Sequence, residues 1–179
     1  MSTPIIRKYP MIMRILHWFM AFTFIGLIAV GWYMINLPDD TPLKYTFYPW
    51  HKSFGMLMLF FVGFRILFLF FLKKPQLPDT LSALDKVLAR VAHLSLYLLM
   101  IIVPLSGYLM NYALGREVFM FGINMPCFLE TNKVLGQQIY ELHLIVPYVL
   151  LGFIALHITG VLKHRLFDQS ECDVLKRMI

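Results

Sequence analysis

Six histidines are the residues of this 179-residue chain whose placement could do chemistry, and five of them sit in strongly apolar surroundings. In HLIVPYVLLGFIALH, residues 143–157, an imidazole opens and closes an otherwise apolar run, 14 residues apart. At about 100° and 1.5 Å per residue, that interval returns to within about 40° of the same helix face, about 21 Å further along it. The same interval separates His17 from Gly31, His51 from Arg65 and His93 from Gly107. Four helices laid antiparallel would therefore carry marked residues at two depths. The inner depth collects His17, Arg65, His93 and His157. The outer depth collects His51 and His143, with Gly31 and Gly107 level with them. Small residues there leave room for something bulky, and Gly55, one turn from His51, adds to it.

An imidazole in lipid is costly without a partner. Helix-to-helix hydrogen bonding is the usual fate of a single one, but it accounts poorly for five in two layers. Zinc sites add cysteine or carboxylate, and proton relays use carboxylates within the spans; these spans have essentially none. Haem iron takes an axial imidazole on each face, and a four-helix bundle can hold it in its core. Two depths then imply two haems. His51 and His143 are the only outer-depth histidines and so form the outer pair. Spacing leaves the inner pair open, since either His17 or His93 could oppose His157. His164, between Lys163 and Arg165, reads as interfacial. Arg65 either snorkels to the inner headgroups or serves as a propionate or structural anchor at the inner haem, because arginine binds carboxylates bidentately. Lys52 and Ser53 could meet the outer propionates, although a plain interfacial lysine is an equal reading. Two imidazoles per iron leave no open coordination position, which makes electron transfer the default chemistry.

Such a site needs helices that cross a bilayer, and the composition supplies them. The chain is 59% hydrophobic and 16% aromatic, too apolar for helices with a water-facing side. Windows 17–36, 51–72, 91–112 and 142–162 each have roughly the 20 residues that a span needs. The polar remainder is too short to fold alone, which predicts an all-α membrane protein, one four-helix transmembrane bundle over residues 1–179. The far end of the first window, GWYMINLPDD, lacks a small-residue cleavage pattern, so all four spans are expected to be kept. If the spans alternate, eleven lysines and arginines share the side that holds both termini, against Lys44, Lys52, Arg116 and Lys133 on the other. The positive-inside rule then predicts cytoplasmic termini. The net charge of +6 reads as topology and lipid contact, not as a nucleic-acid footprint.

The connections are expected to be as follows. LPDDTPLKYTFYPW, with three prolines, reads as an irregular outer loop. The inner connection starts with prolines and turns helical, with Asp79-Thr80 a candidate cap. The Phe-, Met- and Gly-rich segment from Ala113 to Glu141 is a candidate cover over the helix ends, and the tail reads as a surface segment. Pro104 and Pro147 predict kinks. Cys127 and Cys172 fall on opposite sides and should not pair; without CxxCH, covalent c-type haem attachment is not expected.

Six separated stretches carry a resemblance. MIMRILHWFMA, WHKSFG, RILF, AHLSLYLLMIIVPLSGYLM, VFMFGINMP and the closing ELH…LHITGVLKHRLFD…VLKRMI resemble the prokaryotic cytochrome b561 family, in its motif order and over nearly the whole chain. Cys172 and the terminal isoleucine depart slightly from the family's tail. The resemblance implies two haem b groups, His17 with His157 on the inner one and His51 with His143 on the outer, with His93 near the inner haem but not ligating. It further implies a bacterial inner-membrane electron carrier exchanging with ubiquinone or ubiquinol. Close alternatives are a superoxide:ubiquinone oxidoreductase, which would want a positive funnel near the outer haem from Lys52, Arg116 and Lys133, and a haem-bearing anchor subunit for a peripheral dehydrogenase or reductase. A periplasmic redox protein is a further candidate partner. A non-redox transporter or assembly factor would be colourless.

Overall fold

In the computed structural model, which describes residues 8–73, 75, 81–126, 129–168 and 173–179, four helices run up and down in sequence order. They are α1 (Met11–Asn36), α2 (Pro42–Phe71), α3 (Ala83–Ala113) and α4 (Lys133–Leu166). All four are long and apolar enough to cross a membrane, and large hydrophobic side chains cover their outer surface. That exterior suits lipid, where each backbone polar group must be satisfied within its own helix.

Local chemistry sets the helix ends. Pro10 caps α1, where a missing N–H costs nothing. Ser82 accepts from the Asp85 amide at 3.1 Å to start α3, and Asn132 accepts from the Leu135 amide at 3.0 Å to start α4, each satisfying one orphan donor. Asp79 and Thr80, the expected cap, lie outside the described residues, as do Cys127 and Cys172. Gly115 leaves α3 with φ 75°, a left-handed turn that favours glycine. Lys163, His164 and Arg165 occupy the last turn of α4, opposite the negative end of its dipole.

The first outer connection differs from the expected irregular loop. Only residues 37–41 are non-helical; the stretch from Pro42 to Trp50 already belongs to α2. Pro42 falls at the first helical turn, where proline is pre-organised, and Pro49 forgoes one backbone bond inside the helix. Three contacts close the short turn: Lys44 Nζ donates to Asp39 at 2.7 Å and to the Leu37 carbonyl at 3.2 Å, and the Tyr45 hydroxyl donates to the Asp39 carbonyl at 2.9 Å. The hydrogen bond from Lys44 holds the Asp39 carboxyl below its ordinary range. Proline and aspartate counts signal a turn but not its length.

The second outer connection does fold back. A hairpin of β1 (Phe119–Met120) and β2 (Ile123–Asn124) turns through Phe121 at φ 49° and Gly122 at φ 88°. It rests on α2. Ser53 Oγ donates to the Phe119 carbonyl at 3.3 Å and accepts from the Phe121 amide at 3.0 Å, while the Phe121 ring packs against Phe54 and Trp50. The remainder, from Lys133 on, is helical and extends α4 beyond its apolar window. At the inner end the tail returns to α1: the Tyr9 amide donates to the Arg177 carbonyl at 3.0 Å and Trp18 Nε1 to the Met178 carbonyl at 2.9 Å.

Each helix packs on its sequence neighbour, α3 on α4 most extensively. The core draws two residues from each: Met20 and Phe24, Met58 and Val62, Leu96 and Val103, Val146 and Leu150. Every pair lies between the two marked positions of its own helix. The core therefore separates an inner from an outer layer of polar side chains.

Candidate functional site

At the outer layer, α2 presents His51 and α4 presents His143. Their rings face one another with centroids 6.3 Å apart and planes at 85°. Backbone and glycines fix both rings. His143 Nδ1 lies 3.0 Å from the Val103 carbonyl and 3.0 Å from Ser106 Oγ. A carbonyl only accepts, so Nδ1 is the protonated nitrogen and Nε2 keeps a free lone pair, the tautomer a metal ligand needs. A Cβ at Gly107 would stand 2.7 Å from His143 Cε1, and one at Gly31 would stand 3.3 Å from His51 Cε1. The two glycines level with this layer thus give their space to the imidazoles. His51 Nδ1 is buried without a hydrogen-bond partner among the described residues, an omission worth about 1–3 kcal/mol and one that leaves a ring nitrogen available.

At the inner layer, α1 presents His17 and α4 presents His157, with centroids again 6.3 Å apart and planes at 71°. His93 of α3 approaches His157 more closely, at 5.3 Å. Behind His17 stands Arg65 of α2, whose guanidinium joins three helices. Its Nη1 donates to the Met13 carbonyl at 2.9 Å, its Nε to the Tyr97 hydroxyl at 3.2 Å, and its Nη2 lies 3.3 Å from His17 Nδ1.

These distances test what the pairs could hold. A metal–imidazole bond is about 2.0 Å and a ring nitrogen lies about 1.1 Å from its centroid, so two imidazoles on opposite sides of one metal bring their centroids to about 6.2 Å. The His51–His143 and His17–His157 pairs fit that value, and His93–His157 falls about 1 Å short of it. Among the described residues no group of three or more histidines, cysteines or carboxylates converges, so a bare ion would lack ligands. A macrocycle that brings its own four nitrogens and needs two imidazoles fits what the residues offer.

The other residues expected at the site are placed as follows. Gly55 has nothing within 4 Å of a built Cβ, so space remains beside His51. Ser53 is committed to the hairpin, as above. Lys52 is half-buried, and Arg116 is exposed near enough for the two charges to interact. Arg65 faces a carbonyl, a hydroxyl and a histidine. Tyr97, Ser106 and the Val103 carbonyl were not singled out from sequence. Tyr97 follows His93 by four residues, hence on one face, and a serine inside an apolar span is itself a sign of a buried partner.

Comparison with known proteins gives a family and relatives. Residues 8–179 match the family model described as prokaryotic cytochrome b561. The chain is 28% identical over 179 residues to "Cytochrome b561 homolog 2" of Escherichia coli (strain K12), covering 99% of this chain and 93% of that one. It is 28% identical over 162 residues to "Probable superoxide oxidase CybB" of Yersinia pestis, covering 88% and 89%.

Proposed function

The chain belongs to the prokaryotic cytochrome b561 family, a family of b-haem membrane proteins that transfer electrons, and from that premise we infer that it holds two haems and passes electrons between its outer face and ubiquinone. The observation that carries this reading is the equal 6.3 Å separation of the His17–His157 and His51–His143 rings at two depths. When bound, each haem supplies a one-electron couple without an open iron position. The chain's own residues hold the rings in place. Val103 and Ser106 fix the His143 tautomer, Gly31 and Gly107 admit the outer rings, Gly55 leaves room beside them, and Arg65 stands behind His17. The role of His93 is packing beside His157. Fourteen residues of α4 separate His143 from His157, about 21 Å along its axis, which spans most of a hydrocarbon core.

The charge asymmetry supports an inner-membrane orientation with both termini cytoplasmic, and residues 1–179 are read as a single bundle. A second reading has a specific observation behind it. Lys52, which follows His51 in sequence, and Arg116, which precedes the hairpin, lie near enough for their charges to interact, and neither forms an ion pair with a carboxylate among the described residues. Such a patch draws small anions, and one relative is named for superoxide oxidation. Superoxide would give one electron at the outer face and leave as dioxygen. Two such electrons and two protons would convert ubiquinone to ubiquinol. The patch alone would equally serve the outer propionates.

Purified protein in proteoliposomes containing ubiquinone tests both readings. Ubiquinol reducing the haems would support the carrier. Superoxide reducing them, faster than in a Lys52→Gln/Arg116→Gln variant and more slowly as salt rises, would support the oxidase. Haems inert to both would refute the quinone link, and co-purification of a second polypeptide would favour the anchor subunit.

A further inference from the structure

The two layers differ most in what stands behind their ligands. In the outer layer His143 Nδ1 donates to the Val103 carbonyl at 3.0 Å. A carbonyl there increases the imidazole's basicity and favours the oxidised metal. In the inner layer His17 Nδ1 faces the Arg65 guanidinium at 3.3 Å. Arginine has donors only and keeps its charge at any ordinary pH. No carboxylate pairs with Arg65 among the described residues. Its charge acts on His17, His93 and His157 together, whereas no charged side chain acts comparably on His51 or His143.

A neutral His17 that binds metal through Nε2 carries its proton on Nδ1, and then cannot accept from Arg65. The contact at 3.3 Å must loosen when the site fills. The guanidinium does not leave with it, because the Met13 carbonyl at 2.9 Å and the Tyr97 hydroxyl at 3.2 Å hold it independently. The charge stays behind the ring whether or not the hydrogen bond survives.

We propose that Arg65 raises the electron affinity of the inner haem above that of the outer, so that an electron shared between the two haems rests on the inner one. A fixed positive charge favours the reduced metal, which carries one positive charge fewer, and in a water-poor interior its field is weakly screened. Arg65 is thus a positioning residue that also sets the order of the two midpoints. The inference rests on the two-haem reading above and adds to it an order of midpoints.

Spectroelectrochemical titration of the purified two-haem protein reads this out without any turnover assay. Arg65→Gln is expected to lower the midpoint of one haem and leave the other unchanged. In a His51→Ala background, which keeps only the inner haem, the single remaining midpoint should show the same fall. Arg65→Lys should return most of it. A merely structural role would leave the Gln and Lys variants alike, since neither reproduces the three-way fork. Should Arg65→Gln fail to load the inner haem, Arg65→Lys carries the test: a midpoint near wild type supports the proposal and a fall to the level of the outer haem overturns it. Midpoints that ignore Arg65→Gln, or that fall equally at both haems, also overturn it. A wild-type protein with no haem would refute the two-haem reading itself, whereas two haems insensitive to Arg65, or an inner midpoint below the outer in the wild type, refute only the role given to Arg65.

Discussion

Replacing Gly107 by alanine would set a methyl group 2.7 Å from Cε1 of His143, with Nδ1 at 3.2 Å and Nε2 at 3.3 Å. Non-bonded carbons rest at about 3.5–4.0 Å, so the ring must retreat by roughly 1 Å. It has no slack, because Val103 and Ser106 hold Nδ1 from their side, each at 3.0 Å. Overpacking of this kind costs about 1–3 kcal/mol, and a weakened hydrogen bond adds about 1 kcal/mol. At about 1.4 kcal/mol per tenfold, a total of about 2–4 kcal/mol weakens retention of the outer haem roughly 30- to 1,000-fold. Gly31→Ala is the milder case. Its methyl would meet His51 Cε1 at 3.3 Å, a shortfall of a few tenths of an ångström, and the expected loss is below about fivefold, or under about 1 kcal/mol. Gly152→Ala meets nothing within 4 Å on an exposed face and serves as the control. The assay is haem per chain in purified protein, followed by the rate of haem loss to an excess of a haem-free acceptor. The expected order of loss is Gly107→Ala, then Gly31→Ala, then Gly152→Ala, with only one of the two haems affected. Gly107→Ala retaining both haems as firmly as Gly152→Ala would refute the argument, as would loss of the inner haem instead.

Other perturbations have equally local expectations. Gly55→Leu should cost the outer haem while leaving helix content unchanged, because its side chain would enter open space beside His51; haem extraction and far-UV circular dichroism read the two effects separately. Ser53→Ala removes both hydrogen bonds that seat the hairpin and should loosen it by about 1–2 kcal/mol, seen as faster amide exchange confined to residues 118–125. Ser82→Ala deletes the α3 cap and should lower stability by about 1 kcal/mol without changing the haem spectra. The Asp39 carboxyl, held low by Lys44, contributes stability that is present above the ordinary aspartate range and lost as pH falls through its depressed value. Protection of the amides at residues 37–41, measured relative to the intrinsic exchange rate at each pH, should therefore fall in acid for the wild type, whereas Asp39→Asn should show that lowered protection already at neutral pH.

The fold was readable because lipid imposes a simple rule: each span must satisfy its own backbone and show apolar side chains outward. Four apolar windows therefore became four helices. The layers were readable because His, Arg and Gly stand out against apolar neighbours and an interval of 14 residues nearly repeats a helix face. The helix ends were less legible. Apolar windows report the bilayer, and α2 and α4 both begin ahead of theirs, where hydropathy is silent. Glycines at these depths imply room for a bulky group; at Gly31 and Gly107 that room is filled by the imidazoles themselves. Nothing in the spacing could separate His17 from His93 as the partner of His157, because both lie at the inner depth. The ring separations, 6.3 Å for His17–His157 and 5.3 Å for His93–His157, support the pairing proposed above. The bracing of His143 by a backbone carbonyl was beyond reach, since main-chain acceptors have no signature in a sequence.

Haem stoichiometry by pyridine extraction, with reduced-minus-oxidised spectra, tests the central claim most directly when run on wild type, His17→Ala, His51→Ala and His93→Ala side by side. The account predicts two low-spin b haems in the wild type and in His93→Ala, and one in each of the other two, with different spectra for the haem that remains. A folded wild-type protein that carries none when made with haem available, or a His93→Ala protein that loses one while His17→Ala keeps both, would contradict it.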